Sequence, residues 1–253
     1  MLSRRVVVCL DVDGERVVKG VGFESMRDVG DPIELAVRYE LEGADEIVFL
    51  DISAGIAGRA TVLDVARRTA ERLFIPLTIG GGVRSADDVA RLLRAGADKV
   101  SINSAAVHNP EVITESADRF GSQCVVASID AREESGRWIV YTGGGRQRTS
   151  LDAVSWACEC VTRGAGEILL TSIDRDGARS GYDLALIGAV ANAVTVPVVA
   201  SGGAGTVADI SDVFSRTGAE AALVAGILHD RITTVGEIKQ GMIMAGIATR
   251  TTA

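Results

Sequence analysis

The stretch Gly43-Ala-Asp-Glu-Ile-Val-Phe-Leu-Asp-Ile52 returns 121 positions later as Gly164-Ala-Gly-Glu-Ile-Leu-Leu-Thr-Ser-Ile173. The same spacing relates Pro76 through Gly82 to Pro197 through Gly203. A spacing of 122 relates Ala95-Gly-Ala-Asp-Lys-Val100 to Thr217-Gly-Ala-Glu-Ala-Ala222. A chain that repeats itself in this way is built from two copies of one multi-element unit, so its fold must divide into equivalent halves, here about 1–121 and 122–253. Within each half, short β-branched or apolar runs alternate with amphipathic segments of helical length. The strands are expected near Val6 to Asp11, Glu46 to Ile52, Pro76 to Ile79, Lys99 to Asn103, Val125 to Asp130, Glu167 to Ser172, Pro197 to Ala200 and Ala221 to Ala225. Helices are expected at segments such as Asp31 to Glu42, Val62 to Leu73, Ser85 to Ala95 and Leu151 to Arg163, several opened by Ser, Asp or Pro and closed by Gly. Eight βα units over 253 residues predict a single (β/α)8 barrel domain, residues 1–253, with an internal half-barrel repeat.

Composition narrows the chemistry. Hydrophobic residues make up 47% of the chain, yet no apolar run approaches the roughly 18 residues of a membrane span, so the apolar content belongs to a core. The segment leading into Val6 to Leu10 reads as a strand and not as a signal peptide, and a cytoplasmic location is expected. A net charge of -8 and the lack of a basic stripe speak against nucleic acid as a partner, so an anionic ligand must be held locally. Cys9, Cys124, Cys158 and Cys160 show no metal spacing, and the apolar settings of Cys9 and Cys124 mark buried free thiols. With only His108 and His229 available, neither a Ser-His-Asp triad nor a histidine-rich metal site is expected. Carboxylates and backbone amides are left as the chemical tools, with no metal or cofactor.

Active sites in this architecture lie at the C-terminal ends of strands. The residues there are Asp11, Asp51, Gly81 to Gly82, Asn103, Asp130, Asp174 to Gly177, Ser201 to Gly203 and Ala225 to Gly226. Asp11 ends the first strand and Asp130 the fifth, which places two carboxylates across the mouth from each other, an arrangement suited to general acid/base work. Either aspartate alone can equally cap a loop or pair with a nearby cation. Ile79-Gly-Gly-Gly-Val83 and Ala200-Ser-Gly-Gly-Ala-Gly205 each join a strand to a helix, so their backbone amides can cradle phosphate, or they are simply tight turns. A dinucleotide fingerprint is not met, since Ser85 stands where the third glycine belongs. Lys19 lies in a long first loop, Val17 to Phe23, with Gly14, Gly20 and Gly22 as hinges, and supplies a cation near the mouth. Gly143-Gly-Gly145 sits in an insertion after the fifth strand, read as a mobile loop or lid segment.

Motifs such as Cys9-Leu-Asp-Val12, Arg16-Val-Val-Lys-Gly20, Gly30-Asp-Pro32, Gly96-Ala-Asp-Lys-Val-Ser-Ile-Asn103, Phe120-Gly-Ser-Gln123, Asp174-Arg-Asp-Gly177, Ser180-Gly-Tyr-Asp183 and Ala200-Ser-Gly-Gly-Ala-Gly205 follow one another over almost the whole length. In these the chain closely resembles the cyclase subunits of imidazole glycerol phosphate synthase. The resemblance implies that ammonia reacts with the bis-phosphate N'-phosphoribulosyl-formimino-AICAR-phosphate to give imidazole glycerol phosphate and AICAR. It implies Asp11 and Asp130 as the acid/base pair and Lys19 in a substrate-closing loop. One phosphate would fall to Gly82, Asn103 and Ser104, and the other to Asp176, Gly177, Gly203, Ala225 and Gly226. The chain departs from the family pattern at Gly22, Ser104, Val224-Ala-Gly226 and His229-Asp230, changes that bear on loop dynamics and efficiency more than on reaction type. The sister isomerase of the histidine pathway shares the symmetry but lacks the extended Lys19 loop and the Asp174 to Asp183 motifs. A non-catalytic or paralogous ammonia-accepting subunit is opposed by the retention of Asp11, Lys19 and Asp130.

Arg5, Glu46, Lys99 and Glu167 fall at the starts of strands 1, 2, 4 and 6 and should point into the closed end of the barrel. Two cations and two anions there make a salt-bridge plug by the general rule of the fold. The resemblance implies instead a gate, through which ammonia from a separate glutaminase subunit docked on the N-terminal face enters the barrel. The chain has no glutaminase Cys-His-Glu signature of its own, so a heterodimer is expected.

Overall fold

The computed structural model describes residues 3–21, 24–52 and 56–251. The first half runs β1 (Arg5–Asp13), β2 (Arg16–Val21), β3 (Glu24–Gly30), α1 (Pro32–Leu41), β4 (Glu46–Asp51), α2 (Ile56–Ala70), β5 (Leu77–Gly80), α3 (Ala86–Arg94), β6 (Lys99–Ile102), α4 (Ser104–His108) and α5 (Glu111–Phe120). The second half repeats this order element for element: β7 (Val125–Glu134), β8 (Arg137–Thr142), β9 (Gln147–Asp152), α6 (Ala153–Thr162), β10 (Glu167–Ser172), α7 (Leu184–Ala193), β11 (Val198–Ser201), α8 (Val207–Arg216), β12 (Ala221–Val224), α9 (Gly226–His229) and α10 (Val235–Met244). Strands β1, β4, β5, β6, β7, β10, β11 and β12 pair in parallel in that order, and β12 returns to β1, which closes the (β/α)8 barrel.

Local chemistry sets the helix starts. Asp31 accepts from the amides of Ile33 and Glu34 ahead of Pro32, and Ser85 accepts from Asp88, satisfying donors that the first turn leaves open. Thr206 and Thr234 close full capping boxes with Asp209 and Glu237. The main core lies between the sheet and the helices. A second, smaller cluster of Val7, Cys9, Val48, Val126, Leu169, Val199, Ala221 and Leu223 fills the barrel itself. Because strand side chains alternate, this inner cluster fixes which residues point inward at either end. Arg5 lies two residues below Val7 on the inner face of β1 and Asp11 two residues above Cys9. Glu46, Lys99 and Glu167 lie on the inner faces of β4, β6 and β10, and Asp130 on that of β7.

Four expectations need correction. The first βα segment is not a loop: Arg16–Val21 and Glu24–Gly30 form an antiparallel hairpin on β1, with Gly14 turning at φ 61°. Gly22 and Phe23 lie outside the described residues. The Gly143 to Gly145 insertion is likewise the turn between β8 and β9, a second antiparallel extension built on β7. Consequently Asp11 and Asp130 do not end their strands. Both strands continue beyond them because the hairpins supply hydrogen-bond partners, Asp11 opposite Val18 and Asp130 opposite Tyr141. Finally, the second helix begins at Ile56 and ends at Ala70, and Leu151 and Asp152 belong to β9, with Asp152 capping α6.

The repeat extends to backbone stereochemistry. Gly81 (φ 95°) and Gly202 (φ 87°) follow β5 and β11, and a Cβ there would sit 2.1 Å from the Asp51 carbonyl oxygen and 2.6 Å from that of Ser172. Only glycine lets the turn cross the end of the preceding strand so closely. Gly82, by contrast, has φ 64° with open space around it. Gly81→Ala and Gly202→Ala should therefore each cost about 2–4 kcal/mol, left-handed strain plus a backbone clash. Gly82→Ala should cost only about 1 kcal/mol of strain. Equilibrium denaturation of the three variants checks this ordering, and equal costs would contradict it.

Candidate functional site

Asp11 and Asp130 stand four strands apart in the eight-strand ring and so face each other across its mouth. Their surroundings differ. Lys19, carried back over the mouth on β2, places Nζ 3.8 Å from Asp11 Oδ2. Burial raises the pKa of Asp11, the Lys19 charge opposes that rise, and Asp176 adds to it. Among the described residues no cation pairs with Asp130; its Oδ2 accepts from Asn103 Nδ2 at 2.9 Å. Burial drives Asp130 up to about 6, against the Asn103 hydrogen bond and with a contribution from Asp176. Both carboxyls are raised by burial, but only Asp11 has a cation beside it, so their environments differ in the way that acid/base division of labour uses.

The anticipated phosphate residues gather in two places. Gly82, Asn103 and Ser104 stand at the ends of β5 and β6, where Ser104 Oγ accepts from Gly143 N at 3.0 Å and Asn103 Oδ1 is buried without a partner. Asp176, Gly177, Gly203, Ala225 and Gly226 line one pocket with Lys19, Arg27, Arg179 and Asp230. The Asp176 carboxylate acts on Asp11, Asp130 and Cys9, which ties it to the carboxylates of the mouth, and its own amide is bonded to the Ser172 carbonyl at 3.0 Å. Asn103, expected at a phosphate, is also the partner of Asp130.

Several residues around the mouth escaped the sequence reading. Arg27, Arg179 and Asp230 form ion pairs at the pocket rim. His229 lies beneath them, bonded to Tyr39 Oη at 2.8 Å and to the Cys9 carbonyl at 3.1 Å. Burial, reinforced by Lys19, lowers its pKa to about 4, so it stays neutral. No periodicity or spacing marked these positions, which lie far apart in sequence.

At the other end of the barrel the charged quartet closes into a ring. Arg5 reaches Glu46 at 3.0 Å and Glu167 at 2.5 Å, and Lys99 reaches the same two carboxylates at 2.8 and 2.6 Å. Thr78 donates to Glu46 at 2.5 Å. Burial works against the charge of Glu167, but Lys99 and Arg5 outweigh it and hold its pKa below the usual carboxylate value. Among the described residues no group of three or more His, Cys, Asp or Glu is placed to hold a metal, and no helix is long and apolar enough to cross a membrane.

Residues 5–234 match the histidine biosynthesis protein family. The chain is 68% identical over 250 residues to the imidazole glycerol phosphate synthase subunit HisF of Myxococcus xanthus (strain DK1622), covering 99% of each chain. It is 56% identical over 252 residues to the subunit of the same name from Halalkalibacterium halodurans, covering 99% of this chain and 100% of that one.

The raised Asp130 pKa has a consequence for stability. The folded state holds the Asp130 proton more tightly than the unfolded chain does, so a penalty is absent below about pH 4, grows as pH rises and is complete above about pH 6. Asp130→Asn keeps the acceptor for Asn103 and removes the charge. It should be more stable than the parent by about 1–3 kcal/mol at pH 7.5, with the advantage vanishing near pH 4. Denaturant titrations at the two pH values check this; an advantage independent of pH would contradict the assignment.

Proposed function

Because the chain belongs to the histidine biosynthesis protein family, as one of its imidazole glycerol phosphate synthase cyclase subunits, we propose that its mouth catalyses ring closure with ammonia. The substrate is N'-phosphoribulosyl-formimino-AICAR-phosphate and the products are imidazole glycerol phosphate and AICAR. The observation that carries this reading is the opposed pair Asp11 and Asp130, held in unequal environments between two glycine-rich cradles. A substrate with a phosphate at each end would bridge the cradles and bring its reacting centre between the carboxylates. Addition of ammonia to a carbonyl and expulsion of an amine both need protons moved, one towards a base and one from an acid. Asp11 beside Lys19 takes the first role and Asp130 the second. Lys19, carried by the β1–β2–β3 hairpin, both tunes Asp11 and closes over the substrate.

Ammonia is supplied by a glutaminase subunit docked on the N-terminal barrel face, the face that carries the Arg5–Glu46–Lys99–Glu167 ring. In support, the ring caps the same inner column that ends in Asp11 and Asp130, and each ion pair in it is duplicated. Loss of one contact therefore leaves every charge still paired, which makes a transient opening affordable in a way that a lone buried pair is not.

Two experiments test these proposals. Asp11→Asn and Asp130→Asn should retain fold and substrate affinity while ammonia-dependent turnover falls by about 10²–10⁴-fold or more, followed through substrate loss and AICAR appearance. Near-normal turnover in either folded variant would remove it from the catalytic pair. Lys99→Ala should uncouple glutamine hydrolysis from product formation in the glutaminase complex while sparing the reaction with added ammonium. Equal loss with both nitrogen sources would make the ring a structural plug.

A further inference from the structure

The two cradles are not chemically alike, although the repeat makes them structural counterparts. Ser104 opens α4 in the first half and Gly226 opens α9 in the second. The first cradle thus has a side-chain hydroxyl that the second lacks. The space above Gly226 is instead occupied by cations: a Cβ placed there would lie 3.7 Å from Arg179 Nη2, 4.0 Å from Arg179 Nε and 3.7 Å from Lys19 Cε. The edge of the Arg179 guanidinium therefore lies directly over the cradle, at ordinary contact distance from the residue whose hydroxyl is missing.

Arg179 is held there by strong constraints. Its backbone adopts the left-handed conformation, φ 51°, unusual for a side chain of this size. Its Nη2 pairs with Asp230 Oδ2, and Arg27 Nη2 pairs with Asp230 Oδ1. One carboxylate at the end of α9 thus bridges two guanidiniums, Arg27 from strand β3 and Arg179 from the loop between β10 and α7. Arg27 also stands opposite Lys19 in the β2–β3 ladder. Two like charges facing across a ladder repel, and Asp11 and Asp230 are the counter-charges that keep them together. In the pocket as a whole Lys19, Arg27 and Arg179 outnumber Asp176 and Asp230. Each guanidinium carries five N–H donors, so pairing with Asp230 leaves several free. A dianion entering the cradle meets a surplus positive charge with unused donors, already fixed in place.

We propose that Arg179 and Arg27, held across the mouth by Asp230, form a guanidinium clamp for the phosphate bound by the second half of the barrel, and that Arg179 takes the place of the hydroxyl absent at Gly226. This rests on the two-cradle reading above. Arg179 and Arg27 contact the phosphate, whereas Asp230 is a positioning residue that acts through them.

The test is titration of the intact chain with inorganic phosphate by calorimetry, together with steady-state kinetics using ammonium as nitrogen source. The two-cradle reading requires two phosphate sites in the unaltered chain. Arg179→Gln should weaken one of them by about 10- to 100-fold, as expected for a lost charge-assisted hydrogen bond, and raise KM with little change in kcat. Introducing Gly226→Ser into that variant should recover part of the affinity. Asp230→Asn should raise KM by a smaller factor and Asp230→Glu should restore it. Asp230→Asn should have no further effect once Arg27→Gln and Arg179→Gln are both present. Two sites in the unaltered chain with neither changed by Arg179→Gln would overturn the clamp and leave the cradles standing. Fewer than two sites in the unaltered chain would overturn both. A fall in kcat or melting temperature from Asp230→Asn with KM unchanged would make its role structural.

Discussion

Closure of eight parallel strands around a narrow inner cluster is the constraint from which both ends of this molecule follow. Val7 and Cys9 must point inward to fill the barrel, and the two-residue period then leaves no choice for Arg5 and Asp11 on the same strand. Six residues of extended chain separate them, about 20 Å at roughly 3.3 Å per residue. The same logic places Lys99 below and Asn103 above on the β6 column, and Glu167 below on β10. An ion-pair ring at one end and a carboxylate mouth at the other are thus two readings of one alternation. A one-residue slip of any barrel strand would turn both sets outward together.

Desolvation has opposite outcomes at the two ends. In the ring, Glu167 meets two cations whose attraction exceeds the cost of its burial, so it stays ionised. At the mouth the balance is different: Asp176 acts on both Asp11 and Asp130, Lys19 is the close counter-charge of Asp11, and burial wins at Asp130. A carboxyl whose pKa is driven up to about 6 costs the fold stability once it ionises near neutral pH, and such costs concentrate where chemistry needs them.

Much of this was legible in the sequence because it rests on periodicity. The half-repeat, the eight strands, the inward-facing Asp11 and Asp130 and the four charges at the strand starts all follow from a two-residue alternation within short apolar runs. The hairpins were not legible. Gln147 to Asp152 is mostly polar and half-exposed, and Arg16 to Val21 offers only the short buried pair Val17 and Val18 between Arg16 and Lys19, so the strand character of both comes from pairing with β8 and β1 more than from composition. The Arg27–Asp230–Arg179 bridge was invisible for a different reason. A hairpin strand, a βα loop and a helix C-cap supply one residue each, and nothing in local spacing indicates which distant charges meet. Asp230 stood out in the sequence only as a departure from the family pattern, and the fold gives it partners.

The hairpins also tie the two glycine-rich cradles to the two carboxylates of the mouth. The β2–β3 hairpin extends β1, the strand of Asp11, and leans onto the neighbouring β12 cradle, where Lys19 lines the same pocket as Gly226 and Arg27 pairs with Asp230. The β8–β9 hairpin extends β7, the strand of Asp130, and leans onto the neighbouring β6 cradle, where Gly143 bonds Ser104. Each carboxylate is therefore on the strand whose own extension covers the adjacent cradle. Lys19 makes the link most direct, since the same side chain lies 3.8 Å from Asp11 and lines the pocket of Gly226. An anion settling into that cradle competes with Asp11 for the Lys19 charge. As Lys19 shifts towards the anion, the brake it applies to the pKa of Asp11 weakens. Under the function proposed above, Asp11 would become a stronger base once the cradle is filled, so the internal duplication supplies a physical link between anion binding at the cradle and proton transfer at the centre.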